Sequence, residues 1–534
     1  MRTAFRVSLP LFVIALLTAV TMIHAQPRPP IPGGGRMPGR PGGMPGGSEG
    51  DHYNLGPLGG KATLEKSPSG LTVQKVITGA PAEKGGVKEG DVITGAPKSF
   101  GADAYHELGE AIEAAEAQKK PKDAVVKLTI LRAGKTITVD CEVPSYGKDA
   151  KDFPGGKMRD AIVDRALEYL AAQQQGDGGW ECHLSGDNGR VVMTSLCGMA
   201  MLAAGNTAAK GKYKGNVAKA AGFVATNIGK EDEMFARAAG NGANWNQTNW
   251  GIGYGGIFLA EVQAASPQKG LDEKLKWVAE TILRNMEASG GFAHGPGGPN
   301  ALNYLELEIV SNYCVAALGG CMANGVEVDK TKIEAMLSYI QKCGGGKGGV
   351  GYSTQPGQVG WGDCGRTGGA IMAFGAVGRD DHAYYKSMVG FMRSTLNDII
   401  DGHVSPTMHH LSAACASYRE GSKVWEEYWK AQRREATMLR CPDGTFTGRP
   451  TKESAQMGRN NDLDLGSVWN TAHWTIILCL EKGNLPVYFG KKGKSKTGKE
   501  NDEKEDKPKD PTTGEKKDPK PPEKKKPDID EAME

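Results

Sequence analysis

The sequence predicts a multidomain chain: a small α+β domain over residues 51–147, then an all-α ring of six helical hairpins, an (α/α)6 toroid, over residues 155–490. A disordered linker precedes them and a disordered charged tail follows. Two observations lead there. A unit reading ALEYLAAQQQGDGGW, Ala166 to Trp180, ends a helix-forming run in a Gly-rich turn carrying one large aromatic, and it returns in degraded form along the chain. Ahead of it, short β-patterned runs surround a single helical one.

Echoes of the turn surround Trp245, Phe292, Tyr352 and Phe446. Each follows a helix-patterned run and precedes a second run rich in Ala, Gly, Ser and Cys. Taking Thr194, Gly251, Ile309, Gly368, Leu411 and His473 as reference points, the spacing is roughly 55 to 60 residues with one shorter step, enough for two helices and two loops. First helices such as LDEKLKWVAETILRNME carry an apolar stripe opposite a charged face, so one side is wet. Second helices have few charges and many small side chains, so they can be covered on most sides and packed at short axial distance. An outer ring of amphipathic helices around an inner ring of small-residue helices satisfies both. An open solenoid is the alternative, although six pairs is a number that can close.

Arg165, Ala166, Tyr169, Leu170, Gln174, Gly178 and Trp180 match in spacing the QW motif of squalene and oxidosqualene cyclases, and the repeat-level resemblance covers residues 155–490. That family, with the β subunits of protein prenyltransferases, folds as an α/α toroid. The resemblance implies a structural role for the Gln and Trp, the Gln tying the end of one outer helix to the start of the next. It supports a fold and says little about chemistry.

Residues 1–25 carry Arg2 and Arg6, an apolar run from Val7 to Ile23 interrupted by Pro10, and a small residue before Gln26. This is the layout of a cleavable secretory leader, so the expected location is exported, periplasmic or secreted, with no membrane span after cleavage. Residues 26–50, nearly all Pro, Gly, Arg and Met, read as a disordered tether. In the α+β part, LTVQKVIT, GDVIT, AVVKLTILRAG and KTITVDCEV read as strands and AYHELGEAIEAAEAQ as a helix. GAPAEKGGVKEGDVI resembles the signature of bacterial PDZ domains. That resemblance implies a groove in which a peptide C-terminus adds as a strand, its carboxylate held by the loop Leu55, Gly56, Leu58 and Gly59, with Pro57 lacking an N–H. The helix from Tyr105 to Gln118 would be the other wall. The alternative is a PDZ-like fold that packs on the toroid and takes no peptide.

The tail, residues 491–534, is dense in Lys, Asp, Glu and Pro and cannot bury a core. A formal net charge of +3 over the whole chain gives no electrostatic case for nucleic acid. Ten cysteines in an exported chain raise the question of disulfides. Cys197, Cys314, Cys415 and Cys479 sit on inner-helix sequences where a small apolar residue is wanted, leaving Cys182, Cys343, Cys364 and Cys441 as the loop candidates.

Chemistry in a toroid of this type is expected in the central cavity, at the end where loops lead into the inner helices. Polar residues at that level are Glu306, Glu308, Asp363, Cys364, Arg366, His409, His410, Asp462, Asp464 and His473. A triterpene cyclase is not expected, because Asp462-Leu-Asp464-Leu lacks the third carboxylate of the DxDD acid motif and the inner helices carry few aromatics for cation–π stabilisation. Prenyltransferases hold zinc through an Asp, a Cys two residues on and a later His. Here Asp363 and Cys364 are adjacent, so a zinc site of Asp363, Cys364 and His473 is out of register, no cofactor is expected, and Asp363 reads better as a helix cap.

A carbohydrate-active toroid, lyase or hydrolase, would draw an acid, a base and a charge neutraliser from Glu306, Asp363, Arg366, His409 and His473, with Trp245, Trp250 and Trp361 stacking on sugar rings. Two function classes therefore stand. The first is a noncatalytic scaffold binding a peptide at the PDZ groove and a protein or glycan in the toroid. The second is an exported toroid enzyme acting on a polymer, or a divergent zinc enzyme.

Overall fold

The computed structural model describes residues 52–66, 69–151, 155–182, 186–230, 247–296, 305–346, 348–457 and 460–489. The leader at 1–25, the tether at 26–50, the tail at 491–534 and Trp245 lie outside the described residues.

The small domain is a six-stranded antiparallel sheet with strands in sequence order: β1 Tyr53–Asn54, β2 Gly60–Lys66, β3 Ser69–Val76, β4 Val92–Gly95, β5 Val125–Arg132 and β6 Lys135–Glu142. A one-turn helix α1, Pro81–Lys84, precedes β4, and α2, Ala104–Glu116, crosses between β4 and β5. Leu71, Val73, Ile93, Leu108, Ile112 and Leu128 form the core between sheet and α2. Asp91, the acid of the GDVI run, accepts from Arg132 Nε and Nη2 at 2.7 Å each, joining the turn before β4 to the end of β5. That partner is the chief reason its carboxyl is held below the ordinary value.

After the short helix α3, Lys148–Lys151, the helices alternate between outer and inner positions. They are α4 Gly156–Ala172, α5 Gly186–Ala203, α6 Lys214–Asn227, α7 Thr248–Ala265, α8 Leu271–Asn285, α9 Glu308–Ala323, α10 Lys330–Cys343, α11 Cys364–Ala376, α12 Ala383–Ser394, α13 Pro406–Arg419 and α14 Ser422–Leu439. The short α15, Lys452–Met457, then leads to α16, Asn461–Cys479, and α17, Pro486–Phe489, ends the described chain. The inner helices α5, α7, α9, α11, α13 and α16 each pack on the next, and α16 returns to α5, so the ring is closed. Small residues permit this approach: a Cβ on Gly319 of α9 would stand 2.6 Å from the Ala376 backbone at the end of α11, and one on Gly368 of α11 2.8 Å from Ser412 O of α13. One end of the ring is closed by α17, which touches α7, α9 and α11, with Tyr488 N–H donating to Glu261 Oε1 at 2.6 Å. Among the described residues no helix is long and apolar enough to cross a membrane.

The opening motif acts as its resemblance implied. Gln174 Nε2 donates to Gly178 O at 2.9 Å and to Asn216 O at 3.0 Å, tying the end of α4 to the first turn of α6. Trp180 is fully buried and donates from Nε1 to Leu170 O at 2.7 Å. In four repeats a turn N–H donates to a hydroxyl of the following inner helix: Trp180 to Thr194 (3.0 Å), Phe292 to Ser311 (3.1 Å), Val350 to Thr367 (3.0 Å) and Phe446 to Thr471 (3.0 Å). Two residues before each donor stands a left-handed glycine: Gly178, Gly290, Gly348 and Gly444, at φ 92°, 91°, 83° and 89°. This register corrects one echo, since Val350 and not Tyr352 occupies the plug position of its repeat. Tyr352 is displaced toward the mouth of the ring, edge-on to His403 at 5.2 Å.

Gly178 has a further constraint, because a Cβ there would stand 2.6 Å from Lys219 O of α6. Gly178→Ala is expected to cost about 2 kcal/mol and to lower the melting temperature. Gly176→Ala, with nothing within 4 Å of its Cβ position, should leave the melt unchanged. Equal melts for the two variants would refute this account of the turn.

Candidate functional site

At the open end of the ring, the inner helices begin with capped turns that gather most of the expected polar residues. Asp363 is the N-cap of α11: Oδ1 accepts from Arg366 N–H at 2.7 Å and faces His409 Nδ1 at 3.1 Å, while Oδ2 pairs with the Arg366 guanidinium at 2.7 Å. Burial pushes this carboxyl up, but the Arg366 and His409 charges outweigh burial and hold it below the ordinary range. The other ring nitrogen of His409 faces His403 O at 2.9 Å, so both nitrogens already have acceptors. Arg366 lies over the Tyr352 ring at 5.6 Å. Glu308, the first residue of α9, is fully buried and accepts from Asn312 Nδ2. Burial raises its pKa well above the carboxylate range, more than Arg366 and Asn312 lower it.

Glu306 is half-buried before α9, where its charge acts on Tyr339 and Cys343. Asp462 is buried and accepts from Ser405 Oγ, and from Thr407 N–H and Oγ1 at 3.0 Å each. Asp464 is exposed, so the two acids of the Asp462-Leu-Asp464 run do not face a common point. His409 and His410 divide as their adjacency on a helix requires: the first joins the mouth cluster, and the second packs against Trp474 at 5.0 Å, where burial lowers its pKa to about 4.

The proposed metal residues do not converge. Cys364 points to Met392 O at 3.6 Å, His473 Nδ1 faces Trp469 O at 2.8 Å, and Asp363 is held by Arg366 and His409. Among the described residues no three His, Cys, Asp or Glu side chains are placed to share a metal ion. No two of the ten cysteines form a disulfide, and two of the four loop candidates, Cys343 and Cys364, are buried.

Sequence reasoning missed an aromatic cluster behind this mouth. Tyr254 of α7 and Tyr313 of α9 stack with centroids 4.2 Å apart, Trp250 lies 6.0 Å from Tyr313, and Trp469 of α16 lies 6.5 Å from Tyr254. The inner helices are indeed poor in aromatics, but these four meet, while Phe374, Tyr418 and Trp474 face other partners. Only Trp250 and Tyr254, one turn apart on α7, could be paired from spacing, because the other partners lie on different helices. Of the tryptophans expected to stack on sugars, Trp361 is exposed at the rim and Trp250 is half-buried, donating to His294 Nδ1 at 2.7 Å.

The groove of the PDZ-like domain lies between β2 and α2, and the chain itself occupies one end of it. β1 takes the free edge of β2, Tyr53 opposite Ala62 and Asn54 opposite Lys61, and the Tyr53 ring meets Tyr105 of α2 at 5.1 Å. Met438, at the end of α14, is fully buried within the small domain's core. Its Cγ is 3.1 Å from the Cβ position of Gly109, and its Cα 3.5 Å from that of Gly56. Asn54 Nδ2 donates to Met438 O at 2.7 Å and Arg440 O at 2.8 Å, satisfying carbonyls that a helix end leaves unpaired.

The loop expected to hold a peptide carboxylate is thus committed elsewhere. Leu55 and Gly59 use their N–H groups within the turn, on Gly60 O and Gly56 O, Leu55 and Leu58 are fully buried, and the Cβ position of Gly59 is 2.7 Å from Pro442 Cγ. In place of a peptide end, Gly56 meets Thr437 and Met438 of the toroid and Gly59 meets Pro442, while Leu55 and Leu58 are buried in the core of the small domain. Four charge pairs fasten the same face of α2: Glu116–Arg440 at 2.7 Å, Glu113–Arg433 at 2.5 Å, Glu110–Arg434 at 3.1 Å and His106–Glu435 at 2.8 Å. A cleft of about 380 Å³ remains at this junction, lined by Ile77, Ala80, Arg165, Cys441 and Phe446 among others.

A profile of a family described as a domain of unknown function (DUF6288) matches residues 159–482, and one of the PDZ domain matches residues 56–143. No curated protein matches the chain. Similar solved structures include the type II terpene cyclase MstE from Scytonema, 11% identical over 61% of this chain and 99% of that one, TM-score 0.38. The unsaturated glucuronyl hydrolase from Bacillus sp. GL1 is 12% identical over 61% and 96%, TM-score 0.41. A family 76 glycoside hydrolase from a bovine Bacteroides thetaiotaomicron strain is 9% identical over 67% and 83%, TM-score 0.41.

The clamp between domains has a defined pH response. Burial pulls the His106 imidazole down, but hydrogen bonds to Asp103 and Glu435 outweigh it and raise its pKa from 6.5 to about 9. Its contribution is therefore full below pH 6.5 and is lost as pH rises through about 9. Glu435, lowered from 4.5 to about 2 by Arg449 and His106 against burial, contributes above pH 4.5 and is lost only toward pH 2. The melting-temperature gap between wild type and His106→Gln is expected to narrow between pH 6.5 and 9. A constant gap across that range would rule the clamp out.

Proposed function

We propose that this chain, which belongs to the family described as a domain of unknown function (DUF6288) and carries a PDZ domain ahead of it, is an exported, noncatalytic binding scaffold. Its PDZ domain is held in cis on the toroid, and the mouth of the ring receives the partner. One observation carries this reading: three of the acids and bases at the mouth, Asp363, His409 and Asp462, are engaged in holding the fold. Asp363 caps α11 and pairs with Arg366, His409 has acceptors at both nitrogens, and Asp462 is ringed by Ser405 and Thr407. A general acid or base must be able to reach a substrate proton, and these groups already hold partners. The PDZ groove supports the same reading, since Met438 lies against Gly56 and Gly109 and Pro442 against Gly59, where a foreign peptide would end. The leader-like residues 1–25 support export, which sequencing the N-terminus of protein secreted from a bacterial host would check.

Removing one member of a buried charge pair leaves the other uncompensated, so Asp363→Ala should destabilise the protein by about 3 kcal/mol. His409→Ala should act in the same direction. Both are expected to lower the melting temperature, and neither should abolish a turnover. Neutral and acidic polysaccharides incubated with wild type, with reducing ends and unsaturated products measured, should yield no product. A polymer cleaved by wild type, and left intact by Asp363→Asn, His409→Gln or His473→Gln of unchanged melting temperature, would replace this reading with that of an enzyme.

A further inference from the structure

The closed end of the ring is covered by the chain's own last described segment. Gly483, at φ 66°, turns the chain away from the end of α16, and Asn484 Nδ2 donates to Ala203 O of α5 at 3.0 Å. The four residues of α17 then lie across α7, α9 and α11, with Val487 against Gly320 of α9, whose Cβ position is 3.6 Å from Val487 Cγ1. Tyr488 is buried, and its phenol is close enough to Tyr254 of α7, Tyr313 of α9 and Cys415 of α13 to share in their electrostatics. Three inner helices thus converge on one side chain of the terminal segment, which occupies space inside the ring. Beneath it stands Glu261 of α7, fully buried. Its Oε1 accepts from Tyr488 N–H at 2.6 Å, and the Val487 N–H acts on the same carboxyl. Its Oε2 has no hydrogen-bond partner, and no ion pair reaches it, among the described residues.

We propose that α17 is a releasable stopper of the ring, latched by the neutral Glu261 carboxyl and loosened as that carboxyl ionises. The proposal is independent of whether the ring binds or catalyses. A buried carboxylate with one oxygen unpaired and no cation beside it is costly, so the docked segment favours the protonated acid. Burial accordingly raises Glu261 from 4.5 to about 8, against the two backbone N–H groups. Because α17 lies directly on this side chain, lifting it returns the carboxyl to water and to its ordinary value. Docking therefore takes up a proton between pH 4.5 and about 8. The stopper is held most firmly below pH 4.5 and loses that support as pH rises through about 8. Tyr254, Tyr313, Cys415 and Tyr488, the titratable groups around it, are kept neutral to higher pH by burial and do not share the response. Release withdraws Tyr488 from among the inner helices and opens the closed end of the ring to water.

The test is hydrogen–deuterium exchange of the full chain, read by mass spectrometry between about pH 5 and pH 9 and corrected for the intrinsic rate at each pH. The amides of Leu485, Val487 and Tyr488 should lose protection by about tenfold per pH unit and level off near pH 8, one proton being linked to docking. Those of α16 should keep theirs. Glu261→Gln, which retains an oxygen for the Tyr488 N–H and cannot ionise, should remove the pH dependence. Tyr488→Ala should leave the segment unprotected at every pH without lowering the main melting transition, and it decides the matter if Glu261→Gln melts early. Wild-type protection that is flat with pH, a dependence that survives Glu261→Gln, or a loss shared equally by α16 would overturn the latch. A main transition lowered by Tyr488→Ala would make α17 a fixed part of the core and overturn the stopper.

Discussion

The constraint on which the ring depends is the hydrogen bond from a turn N–H to a hydroxyl of the next inner helix, made from Trp180 to Thr194 and repeated from Phe292, Val350 and Phe446. Each bond sets where a turn meets the helix it introduces. A left-handed glycine two residues earlier aims the N–H, and the turn backbone approaches the neighbouring outer helix so closely that a side chain would collide. With the turns fixed, the inner helices must approach one another closely, which explains their supply of glycine and alanine and lets α16 close on α5.

The polar mouth follows from the same geometry. Inner helices that begin at one level leave unpaired N–H groups there, and polar side chains cap them. Asp363 and Asn460 serve this purpose directly, each accepting from the N–H groups of the helix that follows. The arginine and histidine beside Asp363 keep its charge compensated in a place with little water. Residues that resemble catalytic candidates by type and position are therefore accounted for as supports of the helix ends. Glu308 Oε2, both ring nitrogens of His410 and His473 Nε2 stand outside this account, buried without a hydrogen-bond partner among the described residues.

The small domain was legible as a unit, with its later strands and its α2 helix evident in the hydrophobic pattern. Its first strands were not. β2 reads GKATLEK, with Lys61, Glu65 and Lys66 interrupting any alternation, and it is a strand because β3 pairs along its whole length. Asp363 as a helix cap was readable because capping is a local pattern, and the Gln174 and Trp180 roles followed from the resemblance of their motif. The Tyr352 register was misleading, because an aromatic two residues beyond Val350 imitates the plug while the left-handed glycine sets the true position.

The sequence by itself determined the repeat, its two kinds of helix and the α+β character of the N-terminal domain, because these rest on periodicity, composition and turn chemistry within short windows. Only the tertiary structure decided that Met438 enters the core of the small domain, that Asn54 caps α14, and that Tyr254, Tyr313 and Trp469 meet across the ring. Those contacts join residues on different helices or in different domains, some nearly the length of the folded chain apart. Their energy comes from burial and from satisfying groups that are unpaired only once both partners are in place. No local pattern records such a partner, so the closed ring has to be assembled before its contents appear.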